Sequence, residues 1–116
     1  MLAKANRVRE AADFRATMRF GGKASCDTLV VYLKRDLGDA QARFGFVVSK
    51  AVGGAVTRNL VKRRLRATAS EILETIPAGY SIVARALPKA GESDWNKLST
   101  DFKSNVHLLI ERAGKR

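Results

Sequence analysis

Acidic residues are scarce, and one long stretch has none. The 116-residue chain carries 22 lysines and arginines against 11 aspartates and glutamates, a formal net charge of +11. No carboxylate occurs between Asp39 and Glu71, yet Arg43, Lys50, Arg58, Lys62, Arg63, Arg64 and Arg66 all fall in that gap. Like charges repel, so a fold gains little by crowding them. A polyanion is the natural counterweight, and a phosphate backbone is the obvious one.

Cysteine is nearly absent. Cys26 stands alone and cannot close an intramolecular disulfide, which suits a reducing cytoplasm. With a single histidine, His107, far along the chain from the thiol, the parts of a nucleophilic triad are missing. Cys26 reads as a buried or idle thiol, and His107 as a surface or packed residue rather than a general base. No paired carboxylates stand at metal-ligand spacing, so neither a metal site nor catalytic residues are expected on the protein. No apolar run approaches the roughly 20 residues a membrane-spanning helix needs. The opening segment MLAKANRVREAADF lacks the apolar stretch of a signal peptide.

Hydrophobic residues make up 46% of the chain, enough for a real core, and the length suits one domain over residues 1–116. Residues 9–20 read as a short amphipathic helix, with Ala11, Phe14 and Met18 at helical spacing and Gly21-Gly22 as its stop. Residues 27–35 and 43–49 read as strands, joined by turn chemistry over residues 36–39 into an antiparallel hairpin. A short strand over residues 23–26 precedes them. Residues 50–56 form a small-residue loop, and Thr57 is the expected N-cap of a helix over residues 58–75. Pro77-Ala78-Gly79 ends it. Residues 80–86 give a last strand, and Ser93 or Asp94 caps a final helix to about Arg112. Residues 113–116 read as a frayed tail. The order α-β-β-β-α-β-α points to a two-layer α+β sandwich.

The second helix has two faces. With Arg58 at zero and about 100° per residue, Lys62 falls at about 40°, Arg66 at about 80°, Asn59 at about 100° and Arg63 at about 140°. Val61, Leu65, Thr68 and Ile72 gather on the opposite side, Arg64 falls off the basic face, and Leu60 lies at its rim. Arginine forks bind phosphate bidentately, and an asparagine amide can reach a ribose or base edge. The preceding loop and the helix N-terminus add donors for phosphate. The plainer alternative is a solvated charged face. Gly53-Gly54 lacks the G-x-x-x-x-G-K-[ST] spacing of a P-loop, so nucleotide hydrolysis is unsupported.

The segment FGFVVSKAVGGAVTRNLVKRRLR resembles the protein subunit of bacterial ribonuclease P. That family shows a strand ending in V-S-K, a G-x-A-V loop and R-N-R-x-K-R-x-x-R on a helix. Ser49, Lys50, Gly53, Ala55, Val56, Arg58, Asn59, Lys62, Arg63 and Arg66 match; Leu60 departs, where the family usually has a polar or basic residue. NRVREAADF, LVVY, GYSIVARALP and HLLIERAG resemble the family's flanking segments, so the likeness covers nearly the whole chain.

The resemblance implies a fold like the second domain of ribosomal protein S5, with a left-handed β-α-β crossover. The usual right-handed rule would give the other hand. It implies a non-catalytic, cytoplasmic RNA-binding subunit that assists endonucleolytic removal of the five-prime leader from precursor tRNA. Its partners would be ribonuclease P RNA and precursor tRNA, with no membrane and no small-molecule substrate. The RNA would perform the hydrolysis with Mg2+ bound mainly through itself. Carried over by motif, the RNA-binding residues are Ser49, Lys50, Arg58, Asn59, Lys62, Arg63 and Arg66. The leader-binding cleft would hold Phe14, Met18, Val30 and Tyr32, with Met18 where the family often has an aromatic. Phe14 and Met18 are i, i+4 neighbours and Val30 and Tyr32 share a strand face, so a platform for unpaired bases is consistent, as is simple core packing. A ribosomal protein or RNA chaperone of similar fold shares the basic helix but does not need that cleft. A self-sufficient nuclease lacks its acid cluster, and no helix-turn-helix pattern supports DNA binding.

Overall fold

Two strands that need cover on both faces set the architecture. Tyr80–Ala86 is buried at every position but Arg85, and Leu29–Arg35 is buried from Leu29 to Leu33. Such strands take the centre of a sheet. The computed structural model describes residues 2–35 and 38–114. Its strands are β1 (Gly22–Ser25), β2 (Leu29–Arg35), β3 (Arg43–Val47) and β4 (Tyr80–Ala86), and its helices are α1 (Ala11–Phe20), α2 (Ala55–Ile72) and α3 (Trp95–Gly114). The sheet order is β1-β2-β4-β3. β1 and β4 flank β2 antiparallel, and β3 runs parallel to β4.

The expected hairpin between the second and third strands is therefore wrong. β4 lies between them, because two two-faced strands bury more apolar surface side by side than either would against β3. The outer edge of β3 is partly covered by a parallel bridge from Arg7 to Phe44, with Val8 N donating to Phe44 O at 2.9 Å. Asp36 and Leu37 of the expected turn lie outside the described residues, as do Lys115 and Arg116 of the expected tail.

One face of the sheet carries the main core. Leu29, Val31, Leu33, Phe44, Ile82 and Ala84 meet Val61 and Leu65 of α2 and Leu98, Phe102 and Val106 of α3. The Phe102 ring lies 6.2 Å from Phe44 and 6.0 Å from Phe46 between centroids, both tilted. The other face is covered in part by α1, whose Phe14 and Met18 pack against Val30, Tyr32 and Val83. The two layers are thus the sheet and the α2–α3 pair, with α1 a short cover behind.

Several boundaries move. β3 ends at Val47, two residues early, because Ser49 already caps a 3-10 turn over Lys50–Val52. α2 starts at Ala55 with Gly54 as N-cap, so Thr57 is inside the helix and caps nothing. Its side chain instead lies against Gly53 and Gly91, where a Cβ would sit 3.0 and 3.2 Å away. The last turn, Leu73–Thr75, tightens to 3-10. At α3 the cap is Asp94, whose Oδ1 accepts from Lys97 N at 2.8 Å; the Ser93 hydroxyl donates to Lys89 O instead. α3 continues through Ala113 to Gly114, where a frayed tail was expected.

Candidate nucleic-acid interface

Burial of Val61, Leu65, Thr68 and Ala69 fixes how α2 is rotated against the core. Asn59, Arg63 and Arg66 are then exposed, and Arg58 and Lys62 are half-buried. Lys50 is exposed in the preceding 3-10 turn. None of Lys50, Arg58, Lys62, Arg63 or Arg66 forms an ion pair among the described residues; the salt bridges there use other cations. Two members of the acid-free gap have inward duties. Arg43 Nη1 lies 3.6 Å from Asp13 Oδ2, and its Nη2 donates to Ser81 Oγ at 3.0 Å, which clamps α1 to the sheet. Arg64 Nη1 donates to Ser93 O at 3.2 Å, tying α2 to the start of α3.

The loop before α2 is shaped for close approach. Ser49 Oγ accepts from Ala51 N at 3.4 Å, so this serine organises the turn. Gly53 has φ 154°, a conformation L side chains rarely adopt. The chain can then swing into Gly54, which caps α2 without any side-chain acceptor. The first-turn amides of α2 are left to an outside acceptor, which is the physics of a phosphate site.

The structure brings Phe14, Met18, Val30 and Tyr32 into one cluster with Val83. Gly45 permits it: a Cβ there would lie 2.5 Å from the Phe14 ring. Val30 and Tyr32 are only 9% and 8% exposed, so they form a packed floor rather than a free-standing platform. The accessible part is a hollow of about 570 Å³ lined by Met18, Tyr32, Arg15, Arg19 and Phe20. Phe20 is 71% exposed, and the Arg19 guanidinium stands 5.4 Å over its ring.

One cation was not singled out from the sequence. Arg85 is exposed near the C-terminal end of β4, opposite Val30 on one side and Val47 on the other. It therefore projects from the sheet face that α1 only partly covers. The alternation Ser81, Val83, Arg85 carried that signal, because successive strand residues point to opposite faces.

An exposed arginine beside the apolar Val30–Val83 floor, an uncompensated basic helix and an uncapped helix start define an α+β domain suited to face nucleic acid. A family model described as Ribonuclease P matches residues 2–110. Curated relatives called "Ribonuclease P protein component" include one from Clavibacter michiganensis, 45% identical over 110 residues, covering 95% of this chain and 97% of that protein. One from an Arthrobacter strain is 41% identical over 116 residues, covering all of this chain and 85% of that protein. Among solved structures, a Staphylococcus aureus RNase P protein mutant superposes with TM-score 0.84 at 27% identity, covering 90% of this chain and 88% of that one. The Thermotoga maritima RNase P protein gives 0.75 at 27% identity, covering 90% and 96%. The chain belongs to the ribonuclease P protein family, the protein components of a tRNA-processing ribonucleoprotein.

Proposed function

We propose that this chain binds the catalytic RNA of ribonuclease P through α2 and its preceding loop, and the precursor-tRNA leader across the α1 side of the sheet. The observation that carries the reading is the outward face of α2, where Arg58, Lys62, Arg63 and Arg66 meet no carboxylate among the described residues. Phosphates brought close in a folded RNA repel one another. Fixed cations displace the counterions that would otherwise have to collect there, so less magnesium is needed for the active RNA fold. Lys50 and the first turn of α2 receive phosphate, and Asn59 reaches a ribose or base edge. On the other side Arg85 takes a leader phosphate, while Phe14, Met18, Val30 and Tyr32 present apolar surface to unpaired bases.

On this reading the hydrolysis belongs to the RNA, and magnesium is held there. The described cluster of possible ligand atoms, Cys26, Asp27 and Asp101, fits magnesium poorly. Lys97 Nζ already lies 3.1 Å from Asp27 and 3.2 Å from Asp101, and a thiol is too soft a donor for that ion. The protein would act in the cytoplasm, where its RNA partners are made; no helix of the described residues is long and apolar enough to cross a membrane.

The test is precursor-tRNA cleavage at low magnesium by a bacterial ribonuclease P RNA, with and without the protein. Rescue by the protein, with no cleavage by the protein alone, is the expected result. Cleavage without RNA would reassign the chemistry. No rescue by a folded protein with several such RNAs would leave only a general RNA-binding domain.

A further inference from the structure

The basic face of α2 does not end at its cations. Beyond Arg63 the helix borders a hollow of about 670 Å³, closed on the far side by Trp95 at the start of α3. Leu60, Arg63, Arg64, Ala67 and Glu71 line its α2 wall. That volume lies within the roughly 300–1,000 Å³ typical of small-ligand sites. Leu60 is 39% exposed and Trp95 46% exposed. An apolar wall facing an indole, beside arginines, is a different chemistry from the phosphate-binding face next to it.

We propose that this hollow receives one unpaired nucleotide of the RNA held by α2, with its base stacked on Trp95 and against Leu60 and its phosphate on Arg63. The inference rests on the reading that α2 binds RNA, and it adds a base-binding subsite to it. Three observations argue for this occupant. The hollow is continuous with the basic face, since Arg63 belongs to both. Its charge suits phosphate: Arg63 and Arg66 line it, and the one carboxylate on its wall, Glu71, is balanced by Lys103 at 3.1 Å. Leu60 stands where a cation would continue the basic face, and it supplies apolar contact that a phosphate cannot use but a base can. Arg64, turned to Ser93 O, braces α2 to the α3 start and so holds the two walls at a fixed spacing. Stacking tolerates any base, because each has a π-face, so the subsite selects an unpaired nucleotide rather than a sequence.

Trp95 is the only tryptophan in the chain, so its emission reports on this hollow alone. The full chain is titrated with ribonuclease P RNA while emission, acrylamide access and filter-binding affinity are followed together. The expected result is quenched, shielded Trp95 at saturation, with Trp95→Ala binding about tenfold more weakly and Trp95→Phe within about threefold of the parent. Trp95 shielding in the parent decides the matter even if Trp95→Ala folds poorly. Full affinity with Trp95 still open to acrylamide, and unchanged affinity of a folded Trp95→Ala variant, would overturn the subsite and leave α2 as the RNA-binding face. Shielding that grows with protein concentration alone would mean a second copy fills the hollow, and would overturn it too. A parent chain that binds no RNA would remove both the subsite and the reading beneath it.

Discussion

Arg58 meets two demands. Its Nε is buried without a hydrogen-bond partner among the described residues, so its stem is held against the fold. Its charge has no ion-pair partner there. An anchored stem with an unmatched head loses little freedom on meeting a phosphate. Arg58→Ala should weaken RNA binding and make the log–log salt dependence shallower by about one ion. Affinity measured over a series of salt concentrations checks this, and an unchanged slope would strike Arg58 from the phosphate contacts. Gly45 is the counterpart on the other face. The missing side chain is what lets the Phe14 ring lie on β3, since a Cβ there would come 2.5 Å from a ring carbon and 3.0 Å from Val8. Gly45→Ala should destabilise the fold by about 1–3 kcal/mol through overpacking. Urea unfolding should show a lower midpoint with an unchanged slope. A midpoint equal to the parent's would mean that α1 lifts away at no cost.

At the scale of elements, α3 is tied to the β1–β2 connection by a charged knot. Lys97 Nζ bridges Asp27 and Asp101, Thr28 donates to Asp101 Oδ2 at 2.6 Å, and Asn105 Nδ2 donates to Cys26 Sγ at 3.3 Å. The hydrogen bond from Lys97 holds the Asp27 carboxyl below its ordinary value of 3.8. The hydrogen bonds to Asp27 and then Asp101 hold Lys97 above its ordinary 10.5. The aspartate's contribution is therefore present above 3.8 and lost as pH falls through the lower folded value; the lysine's is present below 10.5 and lost as pH rises through the higher one. Lys97→Met should lower the melting temperature slightly at neutral pH, with the gap to the parent closing on acidification below 3.8. A gap that persists in acid would assign the loss to packing instead. The pair is exposed, so added salt should also narrow it.

Elements were easier to read from the sequence than their partners. The basic helix and strands β2, β3 and β4 were legible from apolar periodicity and turn residues, and β4 matched at both ends; β1, Gly22–Ser25, has no such pattern. Pairing was not, because a short connection between the second and third strands makes a hairpin the default. The missed sign was Leu29–Leu33, five apolar residues in a row, which marks a strand covered on both faces. Thr57 misled through side-chain preference, whereas the turn at Gly53 decided where α2 begins. Arg43 shows the same limit at the candidate site. Its place in the acid-free gap was visible, but its clamp to Asp13 depends on a contact 30 positions away that only the fold creates.

The whole molecule presents cations on two sides of one sheet. α2 and α3 cover one face, α1 covers part of the other, and Arg85 projects from the part left open. On the proposed reading, a sheet between the two surfaces would let each meet a different RNA segment without competing for the same side chains. The charge of +11 would then serve both proposed encounters, drawing RNA in from either side. The two surfaces should be separable by mutation. Arg85→Ala should reduce the preference for leader-bearing precursor over mature tRNA by about fivefold, on the order of 1 kcal/mol for one charged contact. Its affinity for ribonuclease P RNA should stay within about twofold, because sites with no shared partners act independently. Arg63→Ala should do the reverse, weakening assembly with the RNA and sparing the leader preference of whatever holoenzyme forms. Competition between precursor and mature tRNA, run beside direct titration of the RNA subunit, reads both quantities on the same preparations. Loss of both by Arg85→Ala would show that one RNA surface wraps around the sheet edge and that the two-sided division is wrong.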